Sequence, residues 1–369
     1  MKPLLEQIRR LLEHRQQAGT LRDLQPPSGY IDFYSNDYLG FSRDTQFQKR
    51  LVSLLSNYPQ CLTGVSGSRV IVGDSVQHLE IESWLAQQHR VEAALLFGSG
   101  YLANLALFSC IVGWHDTIIV DECIHRSVHD GCGLSRAKKW KFRHNDLDHL
   151  ESLLKKASGN IIVAVESLYS MEGDLAPLID LVTLTEQYDA HLIVDEAHAV
   201  GVFDYGLVAY HGLQSKVFAT LVAFGKAMGI RGGALLGSRL MKSYVVNYAS
   251  TFVYTTGIPL FQALEIREAY RYLKECPERR TALQEAIARF RIYGLSSTSA
   301  KCSPIQIVSI TGTEHVRRVS SIAQQNGLAV YPIVAPTVRE GSECLRICLH
   351  AFNKAEEIDL LGNLLRQNI

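Results

Sequence analysis

The chain has 369 residues, 47% of them hydrophobic and 20% charged, the composition of a water-soluble globular protein long enough for one large domain and a smaller one. Its 37 basic side chains balance its 37 acidic ones, and no basic stripe of the kind a phosphate backbone demands is present, which argues against a nucleic-acid partner. No apolar run approaches the ~20 residues that span a bilayer, and the eight scattered cysteines, with no C-x-x-C pair, are expected as free thiols in a reducing cytoplasm.

The chain opens on Leu4, Leu5, Ile8, Leu11 and Leu12 interrupted by Glu6, Arg9, Arg10 and Glu13, which predicts an amphipathic helix rather than a signal peptide. Thr63 to Arg69 is a glycine- and serine-rich turn ahead of a helix capped near Asp74 or Ser75. From about residue 90, apolar runs predict strands at Ala93 to Phe97, Thr117 to Asp121, Ile161 to Glu166, His191 to Asp195, Leu221 to Phe224 and Gly233 to Leu236. Helical patterns fall between them at Tyr101 to Val112, Arg126 to Arg136, Leu147 to Lys156 and Pro177 to Tyr188, so the fold class is α/β with a mostly parallel sheet.

After Pro259 the pattern changes to a long helix or helix pair reaching Tyr293. Strands at Ile305 to Ile310, Ala329 to Val334 and Leu345 to Leu349 then alternate with helices Glu314 to Asn326 and Lys354 to Arg366. The expected division is an N-terminal helix and segment over 1–45 joining the small domain, a large α/β domain over 46–258, and a smaller α+β domain over 259–369.

Val194-Asp195-Glu196-Ala197-His198 ends a very apolar strand, where an open α/β sheet places its ligand groups. The same letters occur in nucleotide hydrolases, but the phosphate loop such enzymes need is missing: at Gly225-Lys226, Thr220 stands where its first glycine should be and Ala227 where Ser or Thr should follow. Lys226 lies in the apolar turn Phe224-Gly225-Lys226-Ala227-Met228-Gly229. Partial desolvation there favours the neutral amine that forms imines with carbonyls, although composition alone makes an ordinary loop lysine the commoner case. Asp195 precedes it by 31 residues, one strand-helix-strand step, so both can lie on one rim of the sheet. Pyridoxal phosphate needs such a pair, a lysine to hold its aldehyde and a carboxylate to keep its ring nitrogen protonated. His198 is then placed to meet the ring oxygen, and Phe97-Gly98-Ser99-Gly100-Tyr101 offers a helix N-terminus for the phosphate.

A rival is open at that turn. Gly98 to Ala103 also fits the dinucleotide fingerprint, with Asp121 ending the next strand, which would make the protein a nicotinamide-dependent oxidoreductase but leaves Lys226, Asp195 and His198 without tasks. His125 and His129, near Cys123 and Asp130, have the spacing of two metal ligands on one helix face; no third ligand is identifiable and no metal site is expected. His125 is expected over the cofactor ring instead. Arg346, on the apolar run Leu345 to Leu349, is either a snorkelling edge residue or a clamp for a substrate carboxylate.

Taken together, Asn36-Asp37-Tyr38-Leu39-Gly40, Gly64-Val65-Ser66-Gly67-Ser68-Arg69, Ser99-Gly100-Tyr101 with Asn104, Glu166 to Asp174, Val194 to His198 and Phe224 to Gly229 resemble the α-oxoamine synthases, pyridoxal 5′-phosphate enzymes of fold type I. The likeness runs over nearly the whole chain. It implies a decarboxylating condensation of an amino acid with an acyl thioester, on coenzyme A or a carrier protein. The early turn and the Asn36 to Gly40 segment look most like the members that join L-alanine to a pimeloyl group.

The resemblance further implies that Lys226 holds the cofactor, Asp195 pairs with its ring nitrogen, His198 contacts its ring oxygen and His125 stacks on the ring. Ser99, Gly100 and Tyr101 would hold it near its phosphate, Ser170 and Glu166 would line the site, Asn36 and Arg346 would meet the amino-acid carboxylate, and Arg22 an acyl-chain carboxylate. Members are homodimers with shared active sites, and Tyr254-Thr255-Thr256-Gly257 matches the segment lent to the partner, where Thr255 and Thr256 reach the phosphate. Two positions depart from the family pattern. Ala223 replaces the usual threonine three residues before the lysine, removing one phosphate contact, and Cys348 and His350 stand where small hydroxyl residues are common. A glycine- or serine-using relative is the nearest competing activity, and a catalytically silent relative is a third class.

Overall fold

A computed structural model describes residues 3–24, 29–335 and 337–369. Its twelve strands among these residues are β1 (Ile31–Asp32), β2 (Ala93–Phe97), β3 (Thr117–Asp121), β4 (Lys138–Phe142), β5 (Ile161–Glu166), β6 (His191–Asp195), β7 (Ala219–Ala223), β8 (Gly233–Gly237), β9 (Ile305–Ser309), β10 (Leu328–Ala329), β11 (Tyr331–Ile333) and β12 (Cys344–Cys348). Seven of them form one sheet in the order β2-β8-β7-β6-β5-β3-β4. β8 is antiparallel to both its neighbours and every other pairing is parallel. The carboxyl ends of β2, β3, β5, β6 and β7 therefore share one rim.

The sheet forms because its strands are apolar on both faces: β2, β3 and β5 are buried along their whole length, between helices packed on either side. One of those helices, Gly100–Cys110, packs against Arg126–Leu134. Caps set the entry of several helices, Ser75 accepting from the His78 N–H and Asp146 from the His149 N–H. Strand β4 differs in kind. Its sequence is Lys-Lys-Trp-Lys-Phe, with only Phe142 buried, and it closes one edge of the sheet, so lysines protect the edge and no apolar run announces it.

The region after Pro259 begins with the helix pair Leu260–Glu275 and Glu278–Arg291, followed by the antiparallel sheet β11-β12-β9. The run Ala329 to Val334 is two strands. At Val330 the chain changes partners, leaving β1, which pairs with β10, and joining β12 through β11. That parallel β1–β10 contact and the bond from the Cys348 N–H to the Phe33 carbonyl, 2.8 Å, bring the early segment carrying Asn36 against the late strand carrying Arg346. The first helix, Pro3–Gln17, keeps Leu4, Leu5, Ile8, Leu11 and Leu12 exposed in the single chain. No helix among the described residues is long and apolar enough to cross a membrane.

Candidate active site

Register places Glu166, at the end of β5, beside Asp195, at the end of β6. Asp195 is buried and well supplied with donors: Asn104 Nδ2 reaches Oδ2 at 2.7 Å and the Ala197 N–H reaches Oδ1 at 2.9 Å. Asn104 also donates to Ser127 Oγ at 2.9 Å, which ties the helix Gly100–Cys110 to the helix that follows His125. The neighbouring Glu196 has a different task. It points to the short helix Leu207–Tyr210 and accepts the Leu207 and Val208 N–H groups at 2.7 and 3.1 Å, so only Asp195 of the two acids faces the rim.

Lys226 sits in the turn between β7 and β8. The turn is closed by bonds from the Gly229 N–H to the Lys226 carbonyl, 2.9 Å, and from the Ile230 N–H to the Phe224 carbonyl, 3.0 Å. Gly229 has φ +63°, with the backbone of Phe41 and Ser42 packed against it, so a side chain at that position is excluded twice over. Burial lowers the Lys226 ammonium from 10.5 to about 8, against the pull of Asp195 and Glu166 and with help from Arg346. A neutral amine is therefore within reach near physiological pH.

His198 is buried, its Nδ1 lying 2.7 Å from the Tyr38 hydroxyl, which also donates to Asn36 Oδ1 at 3.1 Å. Burial, then Lys226, Arg346 and His125, hold this imidazole neutral. His125 caps the helix Arg126–Leu134 and turns an exposed ring toward the cavity, with Nδ1 2.7 Å from Ser127 Oγ. Burial and Lys226 lower its pKa against Asp195 and Asp130. Tyr101 stands edge-on to this ring at 6.3 Å and donates its hydroxyl to Asp130. Its side chain thus braces the His125 wall.

The turn expected to take a phosphate is built from backbone. Ser99 caps the helix Gly100–Cys110, accepting the Leu102 N–H at Oγ and the Ala103 N–H at its carbonyl, each at 3.2 Å, so the Gly100 and Tyr101 N–H groups are the donors this helix start leaves open. Glycine is required there by contact: a Cβ on Gly100 would meet that of Ala223 at 2.9 Å, and one on Gly233 would meet the Gly100 nitrogen at 2.6 Å. These elements enclose a cavity of about 950 Å³ whose walls include Asn36, Ser99, Gly100, Tyr101, Asn104, His125, Glu166, Asp195 and Lys226. Its donor-rich turn, buried anion and low-pKa lysine fit a phosphate, a pyridinium and an aldehyde, so the residues present match pyridoxal phosphate.

Other expected residues stand behind or beyond this wall. Arg346 donates from Nε to the Ser170 carbonyl at 2.7 Å and from Nη2 to Asn36 Oδ1 at 3.0 Å, while Nη1 lies 3.0 Å from Cys348 Sγ. It is therefore a partly buried, inward-facing arginine and not a snorkelling one. Thr255 and Thr256 are exposed and line a smaller cavity of about 170 Å³ with Arg69, meeting the main cavity only at Gly98, Pro259 and Gln262. Arg22 lies in an exposed segment without regular secondary structure, outside the cavity wall.

Two contributors left little trace as single residues. Asn104 shows only as a polar residue within an apolar helical run, and Tyr38 only as part of a longer motif. Near the site, Asp121, Cys123 and His144 bring three potential metal-ligand atoms together. Both imidazole nitrogens of His144 are taken by carboxylates, Asp121 and Asp174, each at 2.9 Å. That sandwich holds a proton, pushing His144 to about 12, and ties the loop ahead of His125 to the loop containing Ser170.

The seven-stranded sheet with these residues on its rim defines a fold-type-I transferase. The chain belongs to the aminotransferase class I and II family, whose sequence model matches residues 28–363. It is 36% identical over 368 residues to 8-amino-7-oxononanoate synthase of Chromobacterium violaceum, covering 96% of this chain and 95% of that protein. Among solved structures it resembles serine palmitoyltransferase of Sphingomonas wittichii, with a TM-score of 0.87, 25% identity, and 100% and 96% of the two chains covered. It also resembles 8-amino-7-oxononanoate synthase of Francisella tularensis, with a TM-score of 0.79, 25% identity and 92% and 97% covered.

Proposed function

We propose that this chain is a pyridoxal-phosphate-dependent acyltransferase that condenses L-alanine with a pimeloyl thioester, on coenzyme A or a carrier protein, giving 8-amino-7-oxononanoate, carbon dioxide and the free thiol in biotin biosynthesis. The observation that carries this reading is the meeting of Lys226 and Asp195 in one cavity, together with the full-length likeness to 8-amino-7-oxononanoate synthases. When bound, the cofactor supplies an electron sink for the charge that develops at the amino acid's α-carbon.

The chain's own residues do the rest. Lys226 holds the cofactor's aldehyde, and as a free amine it takes the α-proton; its lowered pKa suits it to that exchange. Asp195, fixed by Asn104 and the Ala197 N–H, keeps the ring nitrogen protonated. His198, positioned by Tyr38, would meet the ring oxygen, and the exposed His125 would cover the ring. The turn Ser99-Gly100-Tyr101 receives the phosphate through backbone N–H groups. Asn36 and Arg346, already bonded to one another, form the amino-acid carboxylate site, with Ser170 and Glu166 at its edge. Thr255 and Thr256 serve the phosphate of a second copy in a homodimer, Arg22 serves the distal carboxylate of the acyl chain, and the three-part division at residues 45 and 258 describes the domains.

The test is a substrate panel. Holoenzyme is incubated with L-alanine, glycine or L-serine against pimeloyl and palmitoyl thioesters, following thiol release and product mass. Alanine with pimeloyl thioester is expected to give the highest kcat/KM. A higher kcat/KM for serine with palmitoyl thioester would replace this reading with a sphingoid-base activity.

A further inference from the structure

Two carboxyl groups stand side by side on the rim, and their surroundings are unequal. Asp195 receives a side-chain donor on one oxygen and a backbone donor on the other. Glu166, only 2% exposed, receives a single N–H, from Ser170 to Oε2 at 3.1 Å, and its Oε1 is buried with no hydrogen-bond partner although the residue lines the cavity. Adjacent buried carboxylates do not both ionise readily, and the proton goes to the one with fewer donors. A buried carboxylate with an unpartnered oxygen is costly, and protonation lowers that cost by removing the charge.

Ser170 links Glu166 to Arg346. Ser170 donates its N–H to Glu166 and accepts Arg346 Nε at its carbonyl, 2.7 Å. We propose that Glu166 acts as a neutral carboxylic acid whose O–H donates a hydrogen bond to the substrate carboxylate held by Arg346, leaving Asp195 as the only anion of the pair. This rests on the proposed function for the identity of the substrate. An ionised Glu166 would repel that carboxylate; a neutral one adds a second recognition point and keeps the negative charge on Asp195, where the ring nitrogen needs it.

The groups facing Glu166 agree with this assignment. Asp195 from β6, Glu172 from its own loop, and Tyr38 and Tyr169, both fully buried, surround it, and Lys226 is the cation nearby. Burial first and Asp195 second push the Glu166 carboxyl well above the usual carboxylate range, against Lys226 and the Ser170 N–H.

Two measurements test it. Infrared difference spectra of apoenzyme at neutral pH should contain a protonated-carboxyl band that Glu166→Gln removes and Asp195→Asn leaves. Absence of the band, or its loss in Asp195→Asn alone, overturns the protonation state whether or not the protein is a synthase. Binding of L-alanine to holoenzyme, followed by the cofactor's absorbance, should weaken with rising pH in the wild type more than in Glu166→Gln. Glu166→Gln, which keeps a donor, should stay within about 3-fold of the wild-type Kd at neutral pH, while Glu166→Ala should weaken binding about 10-fold, the loss of one charge-assisted hydrogen bond. Equal alanine affinities with an altered spectrum before alanine is added would place the acid against the ring instead and overturn the substrate contact. A protein that takes up no pyridoxal phosphate would refute the proposed function while leaving the infrared result standing.

Discussion

The rim of the large sheet and the pocket around Arg346 are built by different rules. On the rim, Glu166 and Asp195 are the last residues of adjacent strands, and Lys226 follows the next strand after a short turn. Each is placed by the pleat and register of one sheet. The Arg346 pocket instead gathers Asn36, Ser170 and Cys348 from segments up to 312 residues apart, through side-chain bonds that exist only once the early segment has packed on the late sheet. On the proposed reading, cofactor chemistry rests on local geometry and substrate recognition on a long-range assembly, and the two are joined through Tyr38, bonded to both Asn36 and His198, and through Ser170, bonded to both Glu166 and Arg346. The three positions expected to depart from the family pattern divide along the same line, with Ala223 on the rim and Cys348 and His350 beside the pocket.

The comparison breaks most readily at Lys226. Lys226→Ala should abolish turnover, a fall of more than ~10³-fold as expected for losing a positioned acid–base group, while the Kd for L-alanine changes far less. The same lysine sets a pH signature. Because its pKa is lowered to about 8, the fraction of neutral amine in apoenzyme rises as pH increases through that value, and the rate of pyridoxal phosphate uptake should rise with it and level off above. A rate still climbing at the pH where ordinary lysines titrate would show that the turn does not desolvate its side chain.

These differences also explain what the sequence disclosed. Strands β2, β3, β5 and β6 are continuous apolar runs with polar residues at their ends, so their position and the acids they deliver could be read directly. The strand before Lys226 lies two residues earlier at its start than its pattern suggested, because Ala219 and Thr220 carry the pairing with β6 and β8 while Phe224 turns away to bond with Gly232. The switch at Val330 was hidden because two short strands serving different sheets form one apolar run. Glu166 could be read as the acid ending its strand but its surroundings could not, since a carboxylate there is usually solvated, and what makes it unusual is its neighbour in register. Tyr38 and His198, 160 residues apart, meet only through tertiary packing.

A smaller effect is expected at the pocket. Arg346→Lys keeps the charge but loses the planar fork that now binds Ser170 and Asn36 together. The KM for L-alanine should rise ~10–100-fold, the equivalent of about 1.5–3 kcal/mol for a charged hydrogen bond, with a lesser fall in kcat. If kcat falls as far as in the Lys226 variant while KM is unchanged, the pocket and the rim are not separable.

The smallest effect tests whether the rim has compensated for its own departure. Ala223 ends β7 with its Cβ against Gly100, at the start of the helix whose N–H groups form the phosphate cradle. Ala223→Thr adds a hydroxyl next to that cradle. One further hydrogen bond contributes about 1 kcal/mol, so the Kd for pyridoxal phosphate should tighten up to ~5-fold, measured by equilibrium dialysis of apoenzyme. The opposite outcome is equally informative about the geometry. Because Gly100 already leaves no room for a Cβ facing Ala223, a γ-methyl that finds no free direction would push the helix start away and weaken binding. Weakening would mean that the rim has closed around alanine and that the backbone turn takes the phosphate without the hydroxyl expected at that position.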